Sequence, residues 1–304
     1  MVRPDDNSLN PHELRAVEKR AGQLLDRASG WGVFPTPIDD LVAAAQLRVA
    51  PSSMFDATRI LAYLRNKTEK AAYRIKSALS KVLGLYDTHE RVIHIDDTVR
   101  ESRQNFLKLH ETGHHEIPSH RGAFGLFQDC ERTLAPEIAD QFEREANNFA
   151  RFVLFQGDSF ARMAADCTFG IKTPMYLSKR FGASIYASTR EYVRTNARPC
   201  LVFVLEPIEI LMGGGARASV RRVEASALFK TQFGLPQETE ITLDHQLGPV
   251  LPIGRRMSRA RPIAVLDRNG LMHECLAEAF DTKFNVLILV YPVKAFTSKS
   301  VIVP

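Results

Sequence analysis

Two histidines four residues apart, His110 and His114 of the segment HETGH, constrain this chain more than any other feature. The surrounding stretch, ESRQNFLKLHETGHHEI (101–117), has helical spacing, and Pro118 marks its expected end. On a helix, residues at i and i+4 stand one turn above each other on the same face. Both imidazoles can therefore reach one point in space, and Glu111 lies beside them at the edge of that face. Gly113, inside the same helix, is consistent with close approach by a neighbour, at a cost of about 1 kcal/mol relative to Ala.

This H-E-x-x-H arrangement is the one in which two histidines bind zinc and the glutamate serves as general base in peptide hydrolysis. The ion polarises the scissile carbonyl and lowers the pKa of water. His115 and His120 read as a surface and a loop histidine, and either is a candidate to polarise a substrate oxyanion.

A catalytic zinc site takes three protein ligands and keeps one position open. The clearest helix in the chain, PEIADQFEREANNFARFVL (136–154), begins with Pro136 in its first turn and has an apolar stripe of Ile138, Phe142, Ala146, Phe149 and Val153. It offers Glu143 and Glu145 on opposite edges of that stripe, and periodicity does not choose between them. Side-chain size favours Glu143. It borders Ala139, Ala146 and Ala150, which leave room for a metal and a second helix, whereas Glu145 borders Ile138, Phe149 and Phe152. Cys130 is the only cysteine between the two helices and a candidate inhibitory fourth ligand, since a thiolate there would exclude the catalytic water.

Elsewhere the pattern predicts helices over 11–28, with a stripe of Leu14, Val17, Ala21, Leu24 and Leu25, over 36–47, and over 69–83. GLYDTHERVIHI (84–95) reads as strand, polar turn, strand, and TPMYLSKRFGASIYASTREYVRTN (173–196) as two short helices around a Gly-containing turn. The latter has helix-turn-helix character, although helical hairpins also serve packing alone. After Arg198 the composition shifts to β-branched strands, CLVFVLEPIEIL, ASVRRVEASALF, PIAVLDR and NVLILVYPV, with LMHECLAEAF (271–280) as one helix among them. The expected class is α+β: a metallopeptidase domain over 1–157, a helix-turn-helix-like segment over 158–196, and a mixed α/β sensor or regulatory domain over 197–304.

The chain has 304 residues, 45% hydrophobic and 25% charged, which excludes a disordered or collagen-like protein. The N-terminus, MVRPDDNSLN, lacks the pattern of a signal peptide, and no apolar run approaches the roughly 20 residues of a membrane span. A cytoplasmic protein with no membrane partner is expected. Its four cysteines (Cys130, Cys167, Cys200, Cys275) form no C-x-x-C pair, so reduced thiols are expected. The net charge of +5 permits a nucleic-acid partner without demanding one. Arg217, Arg221, Arg222, Arg255, Arg256, Arg259, Arg261 and Arg268 are candidates to bind single-stranded DNA or another anionic activator.

LKLHETGHHEI followed by EREANNFARFVL resembles the ImmA/IrrE family of bacterial metallopeptidases. In that family an H-E-x-x-H helix is followed by a helix of the form E-x-x-A-N-x-F-A whose first glutamate is the third ligand. On this sequence that residue is Glu143. The resemblance covers about residues 10–196 and includes the strand-turn-strand ending VIHID. It departs where the usual small-to-Pro ending of the second helix reads Phe155-Gln156-Gly157.

The resemblance implies a zincin-like protease that cleaves a helix-turn-helix transcriptional repressor after phage infection or DNA damage. Some members carry a C-terminal sensor domain, reported as GAF-like, and some accompany anti-phage signalling systems. The competing reading is a DNA-binding regulator with a structural or vestigial zinc site. The intact quartet His110, Glu111, His114 and Glu143 favours the enzyme, because a vestigial site has no need of its general base.

Overall fold

Asn10 starts the first helix. Its side-chain oxygen accepts from the backbone N–H groups of His12 and Glu13 at 3.0 and 2.9 Å, and Glu13 accepts from the Asn10 N–H at 3.0 Å. This reciprocal cap, with Pro11 at the first helical position, satisfies donors that a helix end otherwise leaves open. The computed structural model describes residues 8–50, 84–87, 91–95, 99–121 and 136–293. The helix expected over 69–83 and Cys130 lie outside the described residues.

These residues divide into two compact units, one of 1–159 with 179–183 and the other of 160–178 with 184–304. The helical segment 158–196 is thus shared between the units.

In the first unit, α1 (Pro11–Arg27) buries Val17, Ala21, Leu24 and Leu25. It packs against α2 (Ile38–Ala44) and α4 (Pro136–Phe155). A three-stranded sheet has the order β1 (Arg48–Val49), β3 (Val92–Ile95), β2 (Gly84–Asp87); β1 and β3 are parallel, β3 and β2 antiparallel. Helix α3 (Glu101–Glu116) contacts β2, β3 and α2 and runs along α4. Of the stripe predicted on α4, Phe142, Ala146, Phe149 and Val153 are buried, and Ile138 stays exposed.

The two helices are in tight contact at Gly113. A Cβ there would stand 3.2 Å from Phe149 Cβ and Cδ1 and 3.3 Å from Ala146 Cα. Any side chain here would meet Phe149 and the Ala146 backbone, and the fully buried Ala146 adds only a methyl group to the facing helix.

The exit of α4, where the sequence departs from the family pattern, is closed by another device. The Gly157 N–H donates to Phe152 O at 3.0 Å and the Gln156 N–H to Val153 O at 3.2 Å, with Gln156 at φ 51° and Gly157 at φ 56°. This is the bonding of a Schellman cap with glutamine in the left-handed position. The fully buried Gln156 side chain accepts from the Gly32 N–H at 2.7 Å, and donates to Val33 O at 2.8 Å and Thr36 Oγ1 at 3.2 Å. It therefore ties the 32–36 loop to the end of α4.

The second unit holds α5 (Ser159–Ala165), apart from its first residue, most of α6 (Lys172–Phe181) and all of α7 (Ile185–Arg194). Its antiparallel sheet has the order β5 (Glu209–Ile210), β6 (Ala216–Ala225), β4 (Leu201–Leu205), β10 (Val286–Pro292), β9 (Met272–Asp281), β8 (Arg261–Leu266), and β7 (Glu240–Thr242) pairs with β6. Every residue of the central strand β4 is buried. Two predictions need correction. LMHECLAEAF is strand, not helix: Cys275, Ala277 and Ala279 are buried at alternate positions, a period of two that the helix-forming Ala and Glu obscured. SALF (226–229) is not strand either, because Ser226 caps α8 (Ala227–Gln232) by accepting from the Phe229 N–H at 3.2 Å.

Replacing Gln156 by Ala should destabilise the first unit by about 2–3 kcal/mol, since it removes three hydrogen bonds of a buried amide, leaves a void in its place and keeps a Cβ residue in the left-handed region without compensation. Urea denaturation of wild type and variant measures this.

Candidate metal centre

Helix α3 stacks His110 and His114 on the face turned to α4, and α4 brings Glu143 to them. His110 Nε2 lies 3.2 Å from His114 Nε2 and 3.3 Å from Glu143 Oε2, and His114 Nε2 lies 3.6 Å from Glu143 Oε1. Ligands about 2.0–2.2 Å from a tetrahedral zinc stand roughly 3.3–3.5 Å from one another. The triangle matches that edge length, with two nitrogens and one carboxylate as donors. The three residues form a group able to hold a metal ion. Glu145, the other carboxylate considered, is not part of it.

The other ring nitrogens are occupied. His110 Nδ1 lies 3.1 Å from Asn147 Oδ1, and His114 Nδ1 lies 3.0 Å from His120 Nδ1. The ligand nitrogens are thereby left to face Glu143. Burial pushes the His110 pKa down, but the hydrogen bond and charge of Glu143, the charge of Glu111 and the bond to Asn147 more than reverse it. Burial and the charge of His110 push His114 well below its ordinary value. Partial burial pulls Glu143 up, yet the hydrogen bond and charge of His110, with the charges of His114 and His120, hold its carboxyl at about 2. A neutral His114 and an ionised Glu143 are the forms that ligate a cation.

Glu111 is buried, one residue along α3 from the first ligand. The two remaining histidines differ from expectation. His115 is buried rather than a surface residue. His120 is fully buried and bridges His114 and Glu145, with its Nε2 2.8 Å from Glu145 Oε2. Both of its ring nitrogens are thus engaged within the described residues. The helix ends at Glu116, Ile117 is extended, and a new helical turn over 118–121 folds His120 back beneath His114. Periodicity gives no sign of this, since a separation of six is not a helical repeat. Asn147 was also missed as a partner of His110, although it stands in the A-N of the α4 motif.

The candidate arginines do not form one surface. Arg217, Arg221 and Arg222 lie on β6, and Arg261 begins β8, with β4, β10 and β9 between them. At about 4.8 Å per strand the two sets are roughly 19 Å apart measured along the sheet. Arg217 pairs with Glu209 at 3.0 Å and Glu240 at 4.0 Å, and Arg221 with Glu206 at 4.0 Å. Arg222 is half-buried. Arg255, Arg256, Arg259, Arg261 and Arg268 are exposed, although Arg256 also donates to Asp281 O and lies over the Phe280 ring.

In the helix-turn-helix-like segment, α7 packs on β4 and β6 with Ser188 to Val193 buried. Arg190 and Arg194 reach Glu224 on β6 at 3.1 and 2.8 Å. That face serves packing and is closed to a DNA groove. Cys167, Cys200 and Cys275 are free thiols, and burial pushes Cys200 up to about 12 and Cys275 to about 11.

An H-E-x-x-H helix with a glutamate donor from an adjacent helix defines a metallopeptidase type of domain. Residues 71–188 match the family model described as the IrrE N-terminal-like domain, a peptidase family. Over these residues the chain is similar to the ImmA/IrrE metallopeptidases. A Mycobacterium tuberculosis transcriptional regulator of solved structure aligns over 91% of this chain and 76% of its own, at 13% identity and a TM-score of 0.50, a likeness of fold. No curated protein matches the chain. Among the described residues, no helix is long and apolar enough to cross a membrane.

Wild type should bind one equivalent of zinc per chain, and Glu143→Ala should weaken that binding by at least about 100-fold. Competition against a chromogenic chelator gives both values.

Proposed function

We propose that the chain is a zinc-dependent endopeptidase that cleaves a helix-turn-helix transcriptional repressor in response to a stress, phage or DNA-damage signal. The observation that carries the catalytic part is the donor triangle of His110, His114 and Glu143 at tetrahedral spacing, with Glu111 beside it. A zinc ion held by those three residues supplies Lewis acidity toward the scissile carbonyl and lowers the pKa of water. Glu111 accepts the proton of the attacking water and delivers it to the leaving amine. The burial of Glu111 limits exchange of that proton with bulk solvent.

The repressor substrate rests on the family resemblance, and such a substrate places the enzyme in the cytoplasm. We read the first unit as zincin-like and residues 197–304 as a regulatory sensor domain, GAF-like by analogy. Cys130 remains our candidate for a fourth ligand that holds the resting enzyme off.

For the activating signal, single-stranded DNA or another anion, the exposed set Arg255, Arg256, Arg259 and Arg261 is the preferred docking place over the glutamate-paired arginines of β6. The double variant Arg255→Glu, Arg256→Glu should lose salt-dependent binding to an oligonucleotide. Undiminished binding overturns this placement.

The catalytic reading is tested with a repressor encoded beside the gene. Wild type should cleave it, and Glu111→Gln should retain zinc while cleavage falls by at least about 100-fold. Equal cleavage by the two proteins would remove Glu111 from the mechanism.

A further inference from the structure

The two histidines of the donor triangle are oriented by different groups. His110 faces a neutral amide through its Nδ1, whereas His114 faces a second imidazole that ends on a carboxylate. We propose that His120 and Glu145 are positioning residues for the metal centre: a buried relay, from Glu145 Oε2 through both nitrogens of His120 to His114 Nδ1, that fixes the tautomer and ring plane of His114. This rests on the metal-site reading above and deepens it.

The proton order follows from donor and acceptor rules. An ionised carboxylate only accepts, so His120 Nε2 carries a proton and donates to Glu145 across 2.8 Å. In a neutral His120 the Nδ1 is then a lone pair and accepts from His114 Nδ1–H across 3.0 Å. His114 is left with its lone pair on Nε2, the atom facing His110 Nε2 and Glu143. A partner of this kind fixes the ligand tautomer and raises its basicity.

The relay is held on every side. His120 is fully buried and stacks on Phe142, with ring centroids 4.1 Å apart and an interplanar angle of 26°. Glu145 is buried, and its other oxygen accepts from Gln141 Nε2 at 2.9 Å. Helix α4 therefore supplies the third metal donor, Glu143, and the anchor of the relay two residues later.

The test is a titration of zinc, and of cobalt(II) alone, into the full-length chain and its variants. His120→Phe keeps a ring over Phe142 and removes both bonds. His120→Gln retains a carbonyl able to accept from His114, and Glu145→Gln removes the charge with little change in shape. The expected result is metal affinity 10- to 100-fold weaker in His120→Phe, partly restored in His120→Gln, and a smaller loss in Glu145→Gln. Cobalt(II) absorption bands should move in each variant. Glu145→Gln carries the test alone should His120→Phe not fold. Wild-type affinity and an unshifted cobalt spectrum in the folded variants overturn the relay and leave the metal site standing. A wild-type chain that takes up neither ion sinks the metal site and the relay together.

Discussion

The near contact of two helices at Gly113 sets the terms for everything else in the first unit. Donors on separate helices must converge to about 3.3 Å to share one zinc ion. The separation is possible because no Cβ stands at Gly113, where Phe149 and the backbone of Ala146 lie against it. Larger residues there would crowd Phe149 and move the histidines from Glu143. The roughly 1 kcal/mol that glycine costs a helix interior is offset by the packing it permits.

Around that contact the polar groups are organised outward from the site. Each ligand histidine has its second nitrogen occupied, one by Asn147 on α4 and one by His120 in the turn after α3. The same helix α4 is fixed at its far end by Gln156, whose buried amide closes the helix and anchors a loop. A proline ending would end a helix by removing a donor. Here the helix stops with its backbone bonded and its side chain employed, so the departure from the family pattern leaves the ligand helix well held.

The sequence disclosed those parts of the molecule that depend on short-range periodicity. Helices α1, α3 and α4 have spacing that only a helix satisfies, and the sizes of the residues around Glu143 and Glu145 distinguished the donor that faces α3. It did not disclose contacts created by irregular backbone. His120 reaches His114 because Ile117 is extended, and that reversal has no periodic signature. Strand β9 was hidden for a different reason: its Ala and Glu residues favour helix, and pairing with β8 and β10 overrides them. The arginines looked like one set along the chain, yet the strand order separates them, and only pairing topology carries that information.

Glu143 and Glu145 leave α4 about 200° apart around its axis. One is drawn toward the ligand pair on α3, the other toward the turn that follows it. Rotation of the helix in either sense slackens one carboxylate while straining the other, so the pair acts as opposed tethers with a single balanced roll angle. A twist of α4 by a few degrees therefore shifts Glu143 against His110 and His114 and shifts Glu145 against His120 in the opposite sense.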